Sequence, residues 1–377
     1  MKAKVLIDLS TFKGKPQCSM DIYSIRLLKG LMMTPLSYEI ILLINEESYS
    51  YFKSFFPNFK YLQIKAFKNA NIFQRIFKYA SFKNQACWKK AINNSHADLL
   101  LCPYTDLDKI SNLDIFRLQV IHDIHGKYGT KGKEKFKQTL LMPVLLKKSN
   151  AIITISDFVK EEIKKQYPNY VSSKHIYRIY NSIDYTEKFT NYPLKSHTYI
   201  LYVNAIREYK NIITLIKAFA LIKDEIEQNL VIIGKKNNYW DKEIVPFIKK
   251  NQLQNRIEQI NYVTESQLNF LYKNASLFVS PSLYEGFGYT PIEAGIYKTP
   301  VITNNETSLP EVTLHSVFYY TPPTDEKALA QVIKKVINKP PTPEELTNLA
   351  EKFKKTYSLF KQANQFNSTI LECLNHK

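Results

Sequence analysis

Glycine is scarce, at 9 of 377 residues, against a usual share of ~7%. That excludes a glycine-rich linker or repeat protein and makes each glycine a position where backbone freedom has been kept. Three of them, Gly286, Gly288 and Gly295, fall inside one stretch, "PSLYEGFGYTPIEAGIYKTPVIT", residues 281–303. Cysteine is scarcer still. The 4 thiols, Cys18, Cys87, Cys102 and Cys373, lie far apart with no CxxC, which argues against a disulfide scaffold or thiolate metal site and fits buried thiols in a reducing compartment. No window reaches the ~18 consecutive apolar residues of a membrane span. The apolar run of "MKAKVLIDLS" is broken by Asp8, so it reads as a first strand and not a signal peptide. Only six of the 52 basic residues are arginine, and acidic residues are missing altogether between Glu47 and Asp98.

What is present is a globular composition, 45% apolar and 13% aromatic, on a chain long enough for two or three domains. Net charge is +18, unevenly spread: residues 1–185 carry 29 Lys+Arg against 15 Asp+Glu, or +14, and residues 186–377 carry 23 against 19, or +4. The first half is thus expected to face something anionic. Short apolar runs alternate with helical patterns: "KVLID", "EIILLI", "DLLLC", "LQVIHD" and "AIITIS", then "YILYVN", "LVIIGK", "SLFVSPS" and "PVIT". Near-continuous apolar strands separated by helices predict parallel sheets covered on both faces. Two such series predict two Rossmann-like, doubly wound α/β domains facing a central cleft. The polar stretch "YTEKFTNYPLKSHT", residues 185–198, sets the boundary, giving domains 1–190 and 191–377. From Asp325 onward only helices are expected, all in the second domain, with "PPTPEEL" starting one through Pro343 and its glutamates.

In the glycine-bearing stretch, "SLFVSPS" reads as a buried strand and "LYEGFGY" as the turn that leaves its carboxyl end. Thr290, Pro291 and Glu293 then read as N-cap, N1 and N3 of a helix, with a capping box as one use for the Glu293 carboxylate. Glu285 stands before the glycines, where a ligand can approach backbone N–H groups and a helix N-terminus suits a phosphate. Carboxylates repel a phosphate but accept charge-assisted hydrogen bonds from polyol hydroxyls. A phosphate site flanked by such acceptors describes a sugar nucleotide.

The segment from Tyr199 to about Lys339, through "LVIIGKKNNYWDKEI" and "LNFLYKNASLFVSPSLYEGFGYTPIEAGIYKTPVITNNETSLPEV", resembles the donor domain of retaining glycosyltransferases of family 4, which have the GT-B fold. The E-x7-E element Glu285/Glu293 lies at its centre. "VIHDIHGKYG", "LLKKSNAIITISDFVKEEI" and "IYRIYNSID" resemble the family's first half more loosely. The resemblance implies that Glu293 binds the ribose and Glu285 the transferred sugar. Gly286, Phe287 and Gly288 would contact sugar hydroxyls, and Tyr289 and Thr290 the diphosphate. Lys210 matches the family's diphosphate lysine. Its usual arginine is absent, with Ala205 or Tyr209 in its place and Arg207 offset. His122, in "VIHDIHG", is implied to face the sugar from the first domain. The family's N-terminal glycine loop is replaced by "KPQCSMDIY", with Ser19 and Asp21 where glycine is expected.

His122 and His125 lack further ligands at metal spacing, "DLD" at 106–108 reads as a solvated loop, and neither metal nor cofactor is expected. The acid-free run holds Arg75, Lys78, Lys83, Lys89 and Lys90. It reads either as a core-facing helix with a lysine-rich outer face or as a peripheral membrane and acceptor surface. A further basic run covers residues 126–138. No nucleic-acid motif accompanies the charge. The resulting expectation is a cytoplasmic, peripherally membrane-associated enzyme of lipopolysaccharide or polysaccharide synthesis. It would move a hexose, with retention, from a GDP-mannose-like or UDP-hexose donor to a lipid-linked glycan. A non-catalytic sugar-nucleotide-binding protein and a GT-B epimerase or hydrolase are the alternatives.

Overall fold

The structure is a computed structural model that describes residues 2–65, 79–107, 109–124 and 133–375, with backbone alone for 79–84 and 133–138. The chain divides into two compact units, Met1–Ser182 with Tyr357–Lys377, and Ile183–Thr356. The first is built on β1 (Lys4–Asp8), β2 (Glu39–Asn45), β3 (Lys60–Ile64), β4 (Leu99–Cys102), β5 (Phe116–Ile121), β6 (Ala151–Thr154) and β7 (Ile176–Arg178). All pair in parallel, in the order β3-β2-β1-β4-β5-β6-β7. The second holds β8 (Tyr199–Val203), β9 (Asn229–Ile233), β10 (Ile257–Ile260), β11 (Leu277–Ser280), β12 (Val301–Asn304) and β13 (Phe318–Tyr320). These are parallel too, in the order β10-β9-β8-β11-β12-β13. Both units are doubly wound and Rossmann-like.

The central strands are buried on both faces, which is why Val5, Leu6 and Ile7, or Leu277, Phe278 and Val279, run without a polar break. Helix starts follow local chemistry. Thr264 and Gln267 form a capping box on Glu265–Asn274, and Asp325 accepts from the amides of Lys327 and Ala328. As expected from "PPTPEEL", the Glu345 carboxylate accepts from the Thr342 amide ahead of Pro343–Thr356.

Two expectations change. The last helix, Leu359–Asn375, belongs to the first unit and not the second. It packs on the helix Ser19–Met32, where a Cβ on Gly30 would lie 2.6 Å from the Leu359 carbonyl oxygen, so only glycine allows this approach. Gln362 anchors it, donating to the Tyr180 carbonyl at 3.1 Å and accepting from the Ser182 hydroxyl at 2.8 Å. The unit boundary also falls at 182/183, because the polar stretch after it binds the second unit: Lys195 N donates to Glu258, and the Thr186 carbonyl accepts from Tyr297 Oη. The thiols differ as well. Cys102 and Cys373 are buried, whereas Cys18 and Cys87 are exposed. No helix among the described residues is long and apolar enough to cross a membrane.

Candidate active site

In the second unit the chain winds outward from β8 through β9 and β10, then returns to β11 on the other side of β8. The crevice beyond the carboxyl ends of β8 and β11 is therefore the topological switch point, where doubly wound sheets take ligands. The segments that leave these strands carry the residues singled out in the sequence.

From β8 comes Lys210, at the end of a short 3-10 turn, and from β11 comes Glu285. The Lys210 ammonium lies 2.7 Å from Glu285 Oε1, with both side chains little exposed, at 11% and 13%. Asn204 Nδ2 donates to the same carboxylate oxygen at 3.3 Å. Sequence reasoning placed Lys210 and Glu285 on separate parts of a ligand; the fold pairs them, and Asn204 it missed. Arg207 is exposed. Asn211, also missed, takes a left-handed conformation at φ 55° and donates to the carbonyls of Pro281 and Pro323, at 3.1 and 2.8 Å. It thus ties the β8 loop to the β11 loop.

The turn itself is braced from behind. Ser308 Oγ donates to the carbonyls of Glu285 and Phe287 at 2.8 and 3.2 Å, and the Glu285 amide donates to Thr307 Oγ1. Gly288 has φ 87°, and a Cβ there would stand 2.9 Å from Leu309 Cδ2. The expected cap is corrected here: the helix runs Tyr289–Ile296 with Gly288 as N-cap, no side chain caps it, and Thr290 and Pro291 sit inside its first turn. The proline is tolerated because amides in that turn lack helical partners. Glu293 instead accepts from Tyr272 Oη at 3.3 Å. Tyr272 is fully buried, and burial together with the Glu293 charge keeps its hydroxyl protonated as a donor. Its ring stacks on Tyr297 at 6.0 Å.

His122 directly follows β5 in the first unit. One ring nitrogen, Nε2, lies 2.7 Å from the Pro103 carbonyl oxygen, and the ring meets Tyr23 edge-on at 4.7 Å. Burial lowers its pKa, against the raising effects of the Pro103 carbonyl and Asp123. Because a carbonyl can only accept, Nε2 carries the proton and Nδ1 is left as an acceptor.

Residues 184–353 match the sequence profile described as "Glycosyl transferases group 1". The likeness to this family therefore spans a little under half of the chain. Among curated relatives, the "O-antigen chain mannosyltransferase RfbU" of Salmonella typhimurium is 30% identical over 57% of this chain and 59% of its own. The "O-antigen chain mannosyltransferase B" of Escherichia coli is 30% identical over 51% of this chain and 53% of its own. The chain thus spans somewhat over half the length of these relatives. Sucrose-phosphate synthase from Thermosynechococcus elongatus shares the fold at TM-score 0.78 and 16% identity, over 100% of both chains. HepE of Anabaena, solved with UDP and glucose, does so at 0.69 and 13%, over 98% of this chain and 100% of its own. The fold class is GT-B.

Within the group 1 segment the structure brings together Lys210 and Glu285, and the bracing loop joins Glu285 to Gly286, Phe287 and Gly288. The first unit has its own buried cluster at the β1/β4 switch point, which the sequence did not announce. Lys109 Nζ binds Asp8 Oδ2, Ser10 Oγ and Thr11 Oγ1 at 2.9, 2.8 and 2.8 Å. Burial works to raise the Asp8 pKa, but the Lys109 charge and the Ser10 bonds outweigh it and hold it low. Asp106, expected in a solvated loop, is part of this cluster, accepting from Thr11 Oγ1 at 2.9 Å; Asp108 lies outside the described residues. Asp21, standing where the family has glycine, is buried. It accepts from the amides of Gln17 and Cys18 and from Tyr104 Oη, so a carboxylate fills that loop.

Of the basic residues, Arg75 and Lys78 lie outside the described residues, as does the side chain of Lys83. Lys89 is half-buried and Lys90 exposed, on the helix Tyr79–Ser95, whose Trp88 and Ile92 enter the core. His125 and residues 126–132 of the basic run also fall outside what is described, as do the side chains of 133–138. Among the described residues no group of three or more His, Cys, Asp or Glu is arranged to hold a metal.

Proposed function

We propose that the chain is a retaining hexosyltransferase that moves a hexose from a nucleotide diphosphate sugar to a lipid-linked glycan in surface polysaccharide synthesis. The observation that carries this reading is the Lys210–Glu285 pair, with Glu293 one helix turn beyond the glycine turn, at the β8/β11 switch point. As the bond from the anomeric carbon to the diphosphate oxygen breaks, the diphosphate takes the electron pair. Lys210 offers the positive charge that this departure needs. Glu285, held by Lys210 and Asn204, takes sugar hydroxyls; Glu293, aimed by Tyr272, takes the ribose. The backbone at Gly286, Phe287 and Gly288 contacts the sugar, and Tyr289 and Thr290 meet the diphosphate at the helix start. Arg207, exposed next to Lys210, is a second cation for the diphosphate. His122, neutral with Nδ1 as acceptor, is assigned a sugar hydroxyl. No step calls for a metal or cofactor.

The two relatives named above are mannosyltransferases of O-antigen chains, which supports a GDP-mannose-like donor; HepE, solved with UDP and glucose, keeps a UDP-hexose in the test. The lysine-rich first unit supports an acceptor met at the anionic cytoplasmic face of a membrane. A panel of nucleotide sugars should give one donor whose stabilisation on thermal shift exceeds that of its free sugar. Nucleotide release should then rise on adding a lipid-linked glycan. Release unaffected by any acceptor would point to a hydrolase, and no stabilisation by any donor would remove the reading.

A further inference from the structure

A groove of about 750 Å³ opens in the first unit, lined by none of the residues assigned above. It is bounded by the edge strand β7 and by the helices Asp157–Gln166 and Leu359–Asn375. Asp157 comes just after β6 and Arg178 closes β7, so the carboxyl ends of two neighbouring strands lead into it.

Its lining combines cations, amides and one open aromatic ring. Lys160, Arg178 and Lys361 stand against one carboxylate, Asp157, which is 3.3 Å from Arg178 Nε. Among the described residues, neither the Lys160 nor the Lys361 ammonium is within ion-pairing distance of a carboxylate. On the terminal helix, Phe360 with Asn364 and Lys361 with Gln365 are four apart, so both pairs line the same face. Phe360 is 50% exposed.

We propose that this groove binds an acidic saccharide, a short glycan segment carrying carboxylate or phosphate groups. The exposed ring suits the C–H face of a sugar, the amides supply donors and acceptors for its hydroxyls, and the unpaired ammonium groups meet its anionic groups. The volume falls in the range of about 300 to 1,000 Å³ typical of small-ligand sites. A peptide added as a further strand is disfavoured, because β7 spans only 3 residues and offers little ladder. The groove does not rest on the donor-site reading, since all its residues are in the first unit.

Calorimetry on the full chain would use trigalacturonate, mannose 6-phosphate, neutral maltotriose and inorganic phosphate. At least one acidic sugar should bind about tenfold more tightly than both maltotriose and phosphate, and the tighter of the two assigns the anionic group. The Lys160→Ser/Lys361→Ser variant should weaken that binding about tenfold or more, as loss of charge-assisted hydrogen bonds does. Phe360→Ala should weaken it as well. The altered side chains are exposed or half-buried, and unchanged unfolding curves would confirm folding. Failure of both acidic sugars to bind, equal binding by the double-lysine variant, or phosphate binding as tightly as the sugar would overturn the proposal. Titrating the same preparations with the nucleotide sugar reads the donor site separately, so the two ideas can fail independently.

Discussion

Glu293 and Tyr272 are 21 residues apart, yet their side chains meet inside the second unit. If Tyr272 aims the carboxylate at the ribose, Tyr272→Phe should cost about 1 kcal/mol of nucleotide-sugar affinity, roughly fivefold, with little change in turnover. Calorimetry checks this; wild-type affinity in the variant would leave Tyr272 a packing residue only. Lys210 permits a sharper separation. If the Lys210 ammonium holds the diphosphate as proposed, Lys210→Ala should lower affinity for the donor and for free nucleoside diphosphate but hardly for the nucleoside. It should also destabilise the second unit by about 3 kcal/mol, since Glu285 is left nearly buried without its cation. Lys210→Met with Glu285→Gln should regain much of that stability and none of the affinity, as read by denaturation and binding on the same samples. His122 gives a pH signature. Its folded pKa lies below the ordinary 6.5, so the unfolded chain binds the proton more readily. The stabilisation is present above that value and is lost as pH falls through and below it. Urea unfolding at pH 7 and pH 5 should therefore show a larger loss in wild type than in His122→Gln, followed by Trp88 fluorescence in a Trp240→Phe background. Equal losses would mean that His122 does not carry the proton linkage.

At the scale of elements, the docking of the helix Leu359–Asn375 depends on contact with the helix Ser19–Met32 rather than on its own sequence. Its buried stripe, Ala363, Phe366 and Ile370, predicts an amphipathic helix but not the surface that receives it. Gly30 decides how closely the two can pack. Gly30→Ala should push the helices apart and destabilise the first unit by about 1 to 3 kcal/mol, the usual cost of an added methylene in a packed contact. Amide exchange across residues 359–375 should speed up while that of the second unit stays the same. Unchanged exchange would show that the helices slide past the added methyl group.

For the whole molecule, the charge asymmetry is the quantity to test. Residues 1–185 carry +14, and nine basic residues with no acidic one lie between Glu47 and Asp98. Each such side chain near anionic lipid contributes about 1 kcal/mol, so the protein should bind anionic vesicles, bind neutral ones poorly, and be released by salt. Changing Arg75, Lys78, Lys83, Lys89 and Lys90 together to Ser should cut vesicle sedimentation; binding insensitive to both salt and substitution would leave the lysines as an ordinary solvated surface. The nine strands legible as apolar runs are the central ones, buried on both faces and so mostly apolar, with Arg117 and Gln119 of β5 as buried exceptions. The four not legible, β3, β7, β10 and β13, are the four sheet edges. Edge strands such as Ile176–Arg178 are only partly buried, so their identity as strands comes from the neighbour they pair with. The E-x7-E stretch was likewise readable because its glycines, carboxylates and following helix are local in sequence. The partners of those carboxylates were not: Lys210 lies 75 residues from Glu285, and Tyr272 comes from another helix. Periodicity and turn chemistry act over a few residues, so the sequence by itself determined which segments become core strands and where the glycine turn falls. Which charges neutralise one another, and which unit the last helix joins, depend on distances that exist only once the sheets have closed.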